Sequence, residues 1–246
     1  MRQPAPRART PRSTAPTRPH NRLRKPRLLT WLLASTLVAS GALGEDFFNL
    51  KRYRNANAKV IQSGQPIDVV LMGDSILDAW PRTRPHFFQE TGWIGRGISR
   101  ETTPQMLLRF RQDVIALKPK TVVILAGTND IAGNTGEISR ETTLGYLKSM
   151  VELAQANNIR PVLCTVLPAK DYFWSPGKNP DREIPRLNAL LSDYAETSGV
   201  QLVNLYTIMS DGKGGMREAF SDDGVHPNEL GYSAMESRLS RALQSR

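Results

Sequence analysis

Ser75, Asp223 and His226 are the residue types that make a nucleophile, an orienting acid and a base. They occur in that order along the chain. Ser75 lies in Gly73-Asp74-Ser75, and the other two lie in Asp223-Gly224-Val225-His226-Pro227. Acid and base stand three residues apart, so one loop can carry both. A single docking event would then bring an oriented imidazole to the serine. A set arranged in that way cleaves esters. A further polar cluster, Gly127-Thr128-Asn129-Asp130, adds a neutral amide at Asn129 that could stabilise an oxyanion. Asp130 is assigned to holding its loop, because a carboxylate beside an oxyanion opposes catalysis.

Each motif also has a plain structural reading. Gly-Asp-Ser is a common turn, Gly-Thr-Asn-Asp can cap a helix, and Asp223-Gly224 can be a simple turn. Their joint occurrence in this order outweighs those readings. Histidine is scarce: His20 falls near the N-terminus, leaving His86 and His226 as bases. His86, in Pro85-His86-Phe87-Phe88, is expected to pack or to wall a pocket.

The elements around these motifs must bring them together. Ile67 to Met72, Thr121 to Ala126, Pro161 to Leu167 and Val200 to Leu205 are short, near-continuous apolar runs. Such runs predict strands covered on both faces. Trp93-Ile94-Gly95 is a candidate edge strand. Helical periodicity marks Pro104 to Leu117, Glu141 to Asn157, Arg182 to Thr197 and Asn228 to Gln244, with Pro185 placed in a first turn. Strand and helix alternate, which predicts an α/β protein, a three-layer α/β/α sandwich around a parallel sheet. Gly73-Asp74-Ser75 and Gly127 to Asp130 then both fall at carboxyl ends of strands, where open sheets bind ligands.

Composition narrows the class further. The 246 residues are 39% hydrophobic and 23% charged, within the globular range. The net charge of +10 is unevenly spread. Nine of the 33 Lys and Arg lie in residues 1–44, which hold no acid, leaving 24 bases against 23 acids elsewhere. A nucleic-acid-binding domain is excluded by that balance. Met1 to Arg27 is Arg-, Pro-, Ser- and Thr-rich and is expected to be disordered. Leu28 to Leu43 is apolar but short for a span, and small residues follow, the pattern of an export signal. The expected organisation is a leader or anchor over 1–44 and one catalytic domain over 45–246, exported to the periplasm or secreted. An uncleaved anchor would be its sole membrane contact. Cys164 sits inside an apolar run and is read as a buried strand residue.

With these residues in view, the chain resembles the SGNH/GDSL hydrolase family. Ser75 in Gly73-Asp74-Ser75-Ile76, Gly97 in Arg96-Gly97-Ile98-Ser99, Asn129 in Gly127-Thr128-Asn129-Asp130, and Asp223 with His226 match its four blocks, over roughly residues 60 to 243. The resemblance implies a flavodoxin-like sheet and carboxylic-ester hydrolysis without metal or cofactor. It also implies an oxyanion hole from the Ser75 and Gly97 backbone N–H groups and the Asn129 amide. The Gly-x-Ser-x-Gly elbow of α/β-hydrolases is absent, since Leu77 stands at its last glycine.

Asp74, Arg100, Tyr172 and Trp174 are the candidate substrate-binding residues. Arg100 departs from the small residue frequent at this place in close relatives. It can bind an anionic group or point to solvent, and solvent is the preferred reading. The segment Asp171 to Gly177 carries three aromatics at the expected sheet edge, suited to stacking on a sugar or covering an acyl chain. Short acyl esters of carbohydrates or small alcohols are the expected substrates, with longer acyl chains as the alternative. A catalytically silent binding module is the rival of another class. It is disfavoured because Ser75, Asn129, Asp223 and His226 are all present.

Overall fold

The computed structural model describes Asp46 and residues 48–244, so the leader and the expected domain boundary at 44/45 lie outside the described residues. In chain order the first elements are α1 (Arg54–Ser63), β1 (Val69–Gly73), α2 (Ser75–Thr83), α3 (Pro85–Thr91), β2 (Ile94–Gly97), α4 (Thr103–Asp113) and β3 (Thr121–Leu125). They are followed by α5 (Thr128–Ala132), α6 (Arg140–Ala156), β4 (Arg160–Cys164), α7 (Pro180–Ser198), β5 (Gln201–Val203), α8 (Tyr206–Met209) and α9 (Glu229–Gln244). The five strands are all parallel, in the order β2-β1-β3-β4-β5. This is the flavodoxin-like arrangement, whose strand order reverses between β1 and β3.

The continuous apolar runs form buried strands because each residue faces one of two cores. Val70, Met72, Val122, Ile124 and Leu163 join the α4, α6 and α7 side, with Phe110, Leu147 and Leu187. Val69, Leu71, Val123, Leu125, Val162 and Cys164 alternate onto the α2 and α9 side, with Trp80, Tyr232 and Met235. The period of two along a strand divides one run between two layers. Cys164 is buried as expected, and desolvation pushes its thiol well above the usual range.

Helix ends follow local chemistry. Thr102 and Gln105 form a capping box at the start of α4, and the Ser139 hydroxyl accepts from Thr142 N–H at the start of α6. Helix α7 ends at Gly199 with φ 71°, where glycine carries no penalty. It begins two residues earlier than its periodicity predicts. Pro185 therefore lies in the second turn, where its missing N–H removes the bond to the Asp181 carbonyl. The edge strand β2 reaches Gly97 and pairs it with Gly73. A Cβ on Gly97 would lie 2.3 Å from the Leu77 carbonyl carbon and 2.2 Å from Asp78 N. The strand end rests on the α2 backbone, so no side chain fits there.

Candidate active site

Ser75 opens α2 immediately after β1, and Asn129 lies in the first turn of α5 immediately after β3. Both therefore stand at the crevice where the strand order reverses. Asp74 caps α2, its Oδ1 accepting from Ile76 N–H at 3.0 Å. On the far side of the cleft, the loop before α9 carries acid and base together. Ser75 Oγ lies 2.9 Å from His226 Nε2, and His226 Nδ1 lies 2.7 Å from Asp223 Oδ2.

The loop is built around its acid. Asp223 Oδ1 accepts from the His226 N–H at 2.8 Å and the Val225 N–H at 2.9 Å, with Ser221 Oγ 3.2 Å away. Ser221 Oγ in turn donates to the His226 carbonyl and accepts from Gly224 N–H. Burial alone would raise the Asp223 carboxyl. The backbone N–H and imidazole of His226, with Val225 N–H, outweigh it and hold the group below the usual carboxylate range. An ionised Asp223 only accepts hydrogen bonds, so Nδ1 carries the imidazole proton and the Nε2 lone pair faces the Ser75 hydroxyl. Tyr232 of α9 donates to the Ile76 carbonyl at 2.7 Å, tying the helix behind the base to the helix behind the serine.

Asn129 is buried, and both ends of its amide are used. Nδ2 donates to the Glu101 carbonyl at 2.9 Å, and Oδ1 accepts from Asn134 Nδ2 at 2.9 Å. This fixes which end is nitrogen and leaves one N–H with no protein acceptor among the described residues. Asp130 accepts from the Thr103 backbone N–H and hydroxyl, which ties α5 to the start of α4. Burial raises its pKa. Gly97 is buried one strand from Ser75, and its carbonyl accepts from Tyr53 OH. Ile98 N–H rather than Gly97 N–H bonds the Gly73 carbonyl, so the Gly97 N–H faces away from β1 and Ser75, and the oxyanion role expected of it is corrected.

The cleft over Ser75 encloses about 310 Å³. Ser75, Asn129 and His226 form its floor, and Ser99, Arg100, Phe173 and Trp174 its walls. Trp174 donates from Nε1 to Asn134 Oδ1 at 3.0 Å and stacks on Tyr172 with centroids 4.8 Å apart. The Ser175 hydroxyl bonds the Ala132 carbonyl, pinning the aromatic segment to α5.

Two of the four candidate substrate-binding residues need correction. Tyr172 is fully buried beneath Trp174 and touches no substrate space. Asp74 is 1% exposed and is engaged with Ile76 N–H, so it serves the helix cap. Arg100 and Trp174 do line the cleft, and Phe173, 69% exposed, joins them. His86 is exposed at the start of α3, away from the cleft walls, while Phe87 and Phe88 take the packing role against Trp80.

The sequence reading missed what lies beneath the cleft. Arg109 is fully buried and donates from Nε to Glu101 at 2.6 Å, from Nη1 to Asp113 at 3.0 Å and from Nη2 to the Gly73 carbonyl at 3.1 Å. Its signal was present: Arg109 and Asp113 stand four apart in a helix whose apolar stripe includes Met106 and Phe110, so both charges fall near the buried face. Among the described residues no group of three or more His, Cys, Asp and Glu side chains could hold a metal ion.

Desolvation pushes the Asp74 carboxyl up to about 7, against the Ile76 N–H and the imidazole of His226, which lower it. The folded state therefore holds this proton more tightly than the unfolded chain. The associated stability is fully present below the ordinary carboxylate pKa and is lost as pH rises through about 7. Asp74→Asn keeps an oxygen for Ile76 N–H but never ionises. Its melting temperature should equal that of the wild type near pH 4 and exceed it above about pH 8, by up to about 4 kcal/mol in stability. A melting difference that stays constant across that range would rule this out.

The sheet order and the hydrogen-bonded serine, histidine and aspartate define the class: an α/β/α protein with the constellation of a nucleophilic hydrolase at its switch point. The chain belongs to the GDSL-like lipase/acylhydrolase family, whose model matches residues 71–234. That family's chemistry is carboxylic-ester hydrolysis. A solved GDSL-like lipase from Bacteroides thetaiotaomicron is 42% identical, with a TM-score of 0.76, and the match covers 81% of this chain and 98% of that one. A candidate acylhydrolase from Bacteroides fragilis is 43% identical, also with a TM-score of 0.76, covering 81% and 97%. A curated acetylxylan esterase from Xylanibacter ruminicola is 26% identical over 72% of this chain. That match spans 43% of the relative's own length.

Proposed function

We propose that this protein is an exported serine esterase that removes short acyl groups, acetyl above all, from carbohydrates or small alcohols. The observation that carries the reading is the Ser75–His226–Asp223 row, with contacts of 2.9 and 2.7 Å, opening directly into a cleft. In the mechanism that follows, Nε2 of His226 takes the Ser75 proton as Oγ attacks the ester carbonyl. Asp223 keeps the imidazole in the required tautomer and stabilises the imidazolium. The tetrahedral oxyanion accepts from the free Asn129 N–H and from the Ser75 backbone amide, each such donor lowering the barrier by about 3–4 kcal/mol. The imidazolium then protonates the leaving alcohol, and water repeats the attack on the acyl-enzyme.

The cleft volume of about 310 Å³, bounded by Phe173 and Trp174, supports a short acyl group. The relative named as an acetylxylan esterase supports an acetylated carbohydrate. Export, and a domain division near residue 44, rest on the basic front and short apolar run of the leader. A series of 4-nitrophenyl esters with two- to sixteen-carbon acyl groups tests the substrate. The expected kcat/KM falls steeply beyond about four carbons, given the size of the site. A rise toward the long esters would replace this reading with a lysophospholipase or thioesterase. A fluorophosphonate probe should label Ser75, and failure to label folded protein would point to a silent binder.

A further inference from the structure

Among the described residues, Arg100 alone brings a permanent charge to the walls of the cleft. Its backbone has φ 72°, the left-handed region that side-chain-bearing residues avoid at a cost of about 1–2 kcal/mol. The surroundings hold it there. The Arg100 carbonyl accepts from Asn134 Nδ2 at 3.0 Å. The same asparagine bonds Asn129 Oδ1 at 2.9 Å and accepts from Trp174 Nε1 at 3.0 Å. The next residue, Glu101, is anchored in the buried network of Arg109. One side-chain amide therefore locks together the strained residue, the oxyanion amide and the aromatic wall.

The guanidinium itself is exposed, and it makes no hydrogen bond or ion pair among the described residues. Asp78, bonded to the neighbouring Ser99 hydroxyl, is occupied by Arg52 and Arg82. Among the described residues no carboxylate lines the cleft. Strain retained at the cleft edge, together with an exposed planar donor left unpaired among the described residues, fits a ligand rather than a solvated surface charge.

We propose that Arg100 forms a subsite for an anionic substituent of the ester substrate, a carboxylate or a group of like geometry, while Phe173 and Trp174 cover the apolar face. The subsite rests on the esterase reading above and narrows it to acidic esters. Two matched pairs test it on the full chain. 4-Nitrophenyl hydrogen adipate against 4-nitrophenyl hexanoate probes the acyl side, and 4-acetoxybenzoate against 4-acetoxybenzamide probes the alcohol side. The wild type should prefer the anion in at least one pair, with a preference that erodes as salt is added. Arg100→Gln should lower the anionic-to-neutral ratio of kcat/KM about tenfold, through KM, and Arg100→Lys should restore part of it. An unmoved ratio in both pairs, or no anionic preference in the wild type, overturns the subsite alone. Absence of turnover of all four esters, with Ser75 unlabelled by fluorophosphonate, overturns the esterase reading and the subsite with it.

Discussion

Ser75→Ala should lower kcat on 4-nitrophenyl acetate by about 10⁴-fold or more, with a melting temperature within about 2 °C of the wild type. The two halves of this expectation have separate causes. The hydroxyl's hydrogen-bond partner is His226, so its loss removes the proposed nucleophile and leaves the imidazole bonded to Asp223. The helix start does not depend on it, because Asp74 supplies the cap to Ile76 N–H. Alanine is also the best helix former, and Ser75 is only half-buried. Any residual rate would come from the proposed oxyanion donors, which the substitution leaves in place. Retention of most of the activity would remove Ser75 from the chemistry and, with it, the mechanism.

Arg109→Met should lower the melting temperature by about 10 °C, read from a far-ultraviolet circular dichroism melt. The substitution leaves Glu101 and Asp113 buried and uncompensated, a loss of about 3–5 kcal/mol for a broken interior ion pair. A domain of this size shifts by about 2–4 °C for each kcal/mol. Burial already raises the Glu101 carboxyl, and the guanidinium is what opposes that rise. Arg109→Lys keeps a charge but lacks the fork that reaches Glu101, Asp113 and the Gly73 carbonyl at once, so its melt should fall between the two. A melt of Arg109→Met within about 2 °C of the wild type would show that the network does not carry stability.

The long elements were readable because burial on both sheet faces writes a continuous apolar run, and burial on one face writes a stripe. Four strands and the helices α4, α6, α7 and α9 were legible in this way. Helix α1 was not, because within Arg54–Ser63 only Val60 and Ile61 are large and apolar. The short helices α3 and α5 span one or two turns, too few for a period to be read. Within the site, the motif residues Ser75, Asn129, Asp223 and His226 converge as their order suggested. The assignments that failed have a common cause. Asp74 and Tyr172 were judged by residue type in segments without periodicity, and side-chain direction there is set by tertiary contacts. Asn134 escaped notice for the same reason: its three partners come from three separate segments.

The loop before α9 bears on how such a site moves. Asp223, Ser221, Gly224, Val225 and His226 are bonded chiefly to one another. Acid and base are therefore positioned by one loop's own bonds, and the contact to Ser75 is what joins that loop to the serine. A lengthening of that contact would leave the imidazole tautomer set by Asp223 and interrupt only proton transfer from the serine. The base would then rest already set, and closing one gap of atomic size would restore the row.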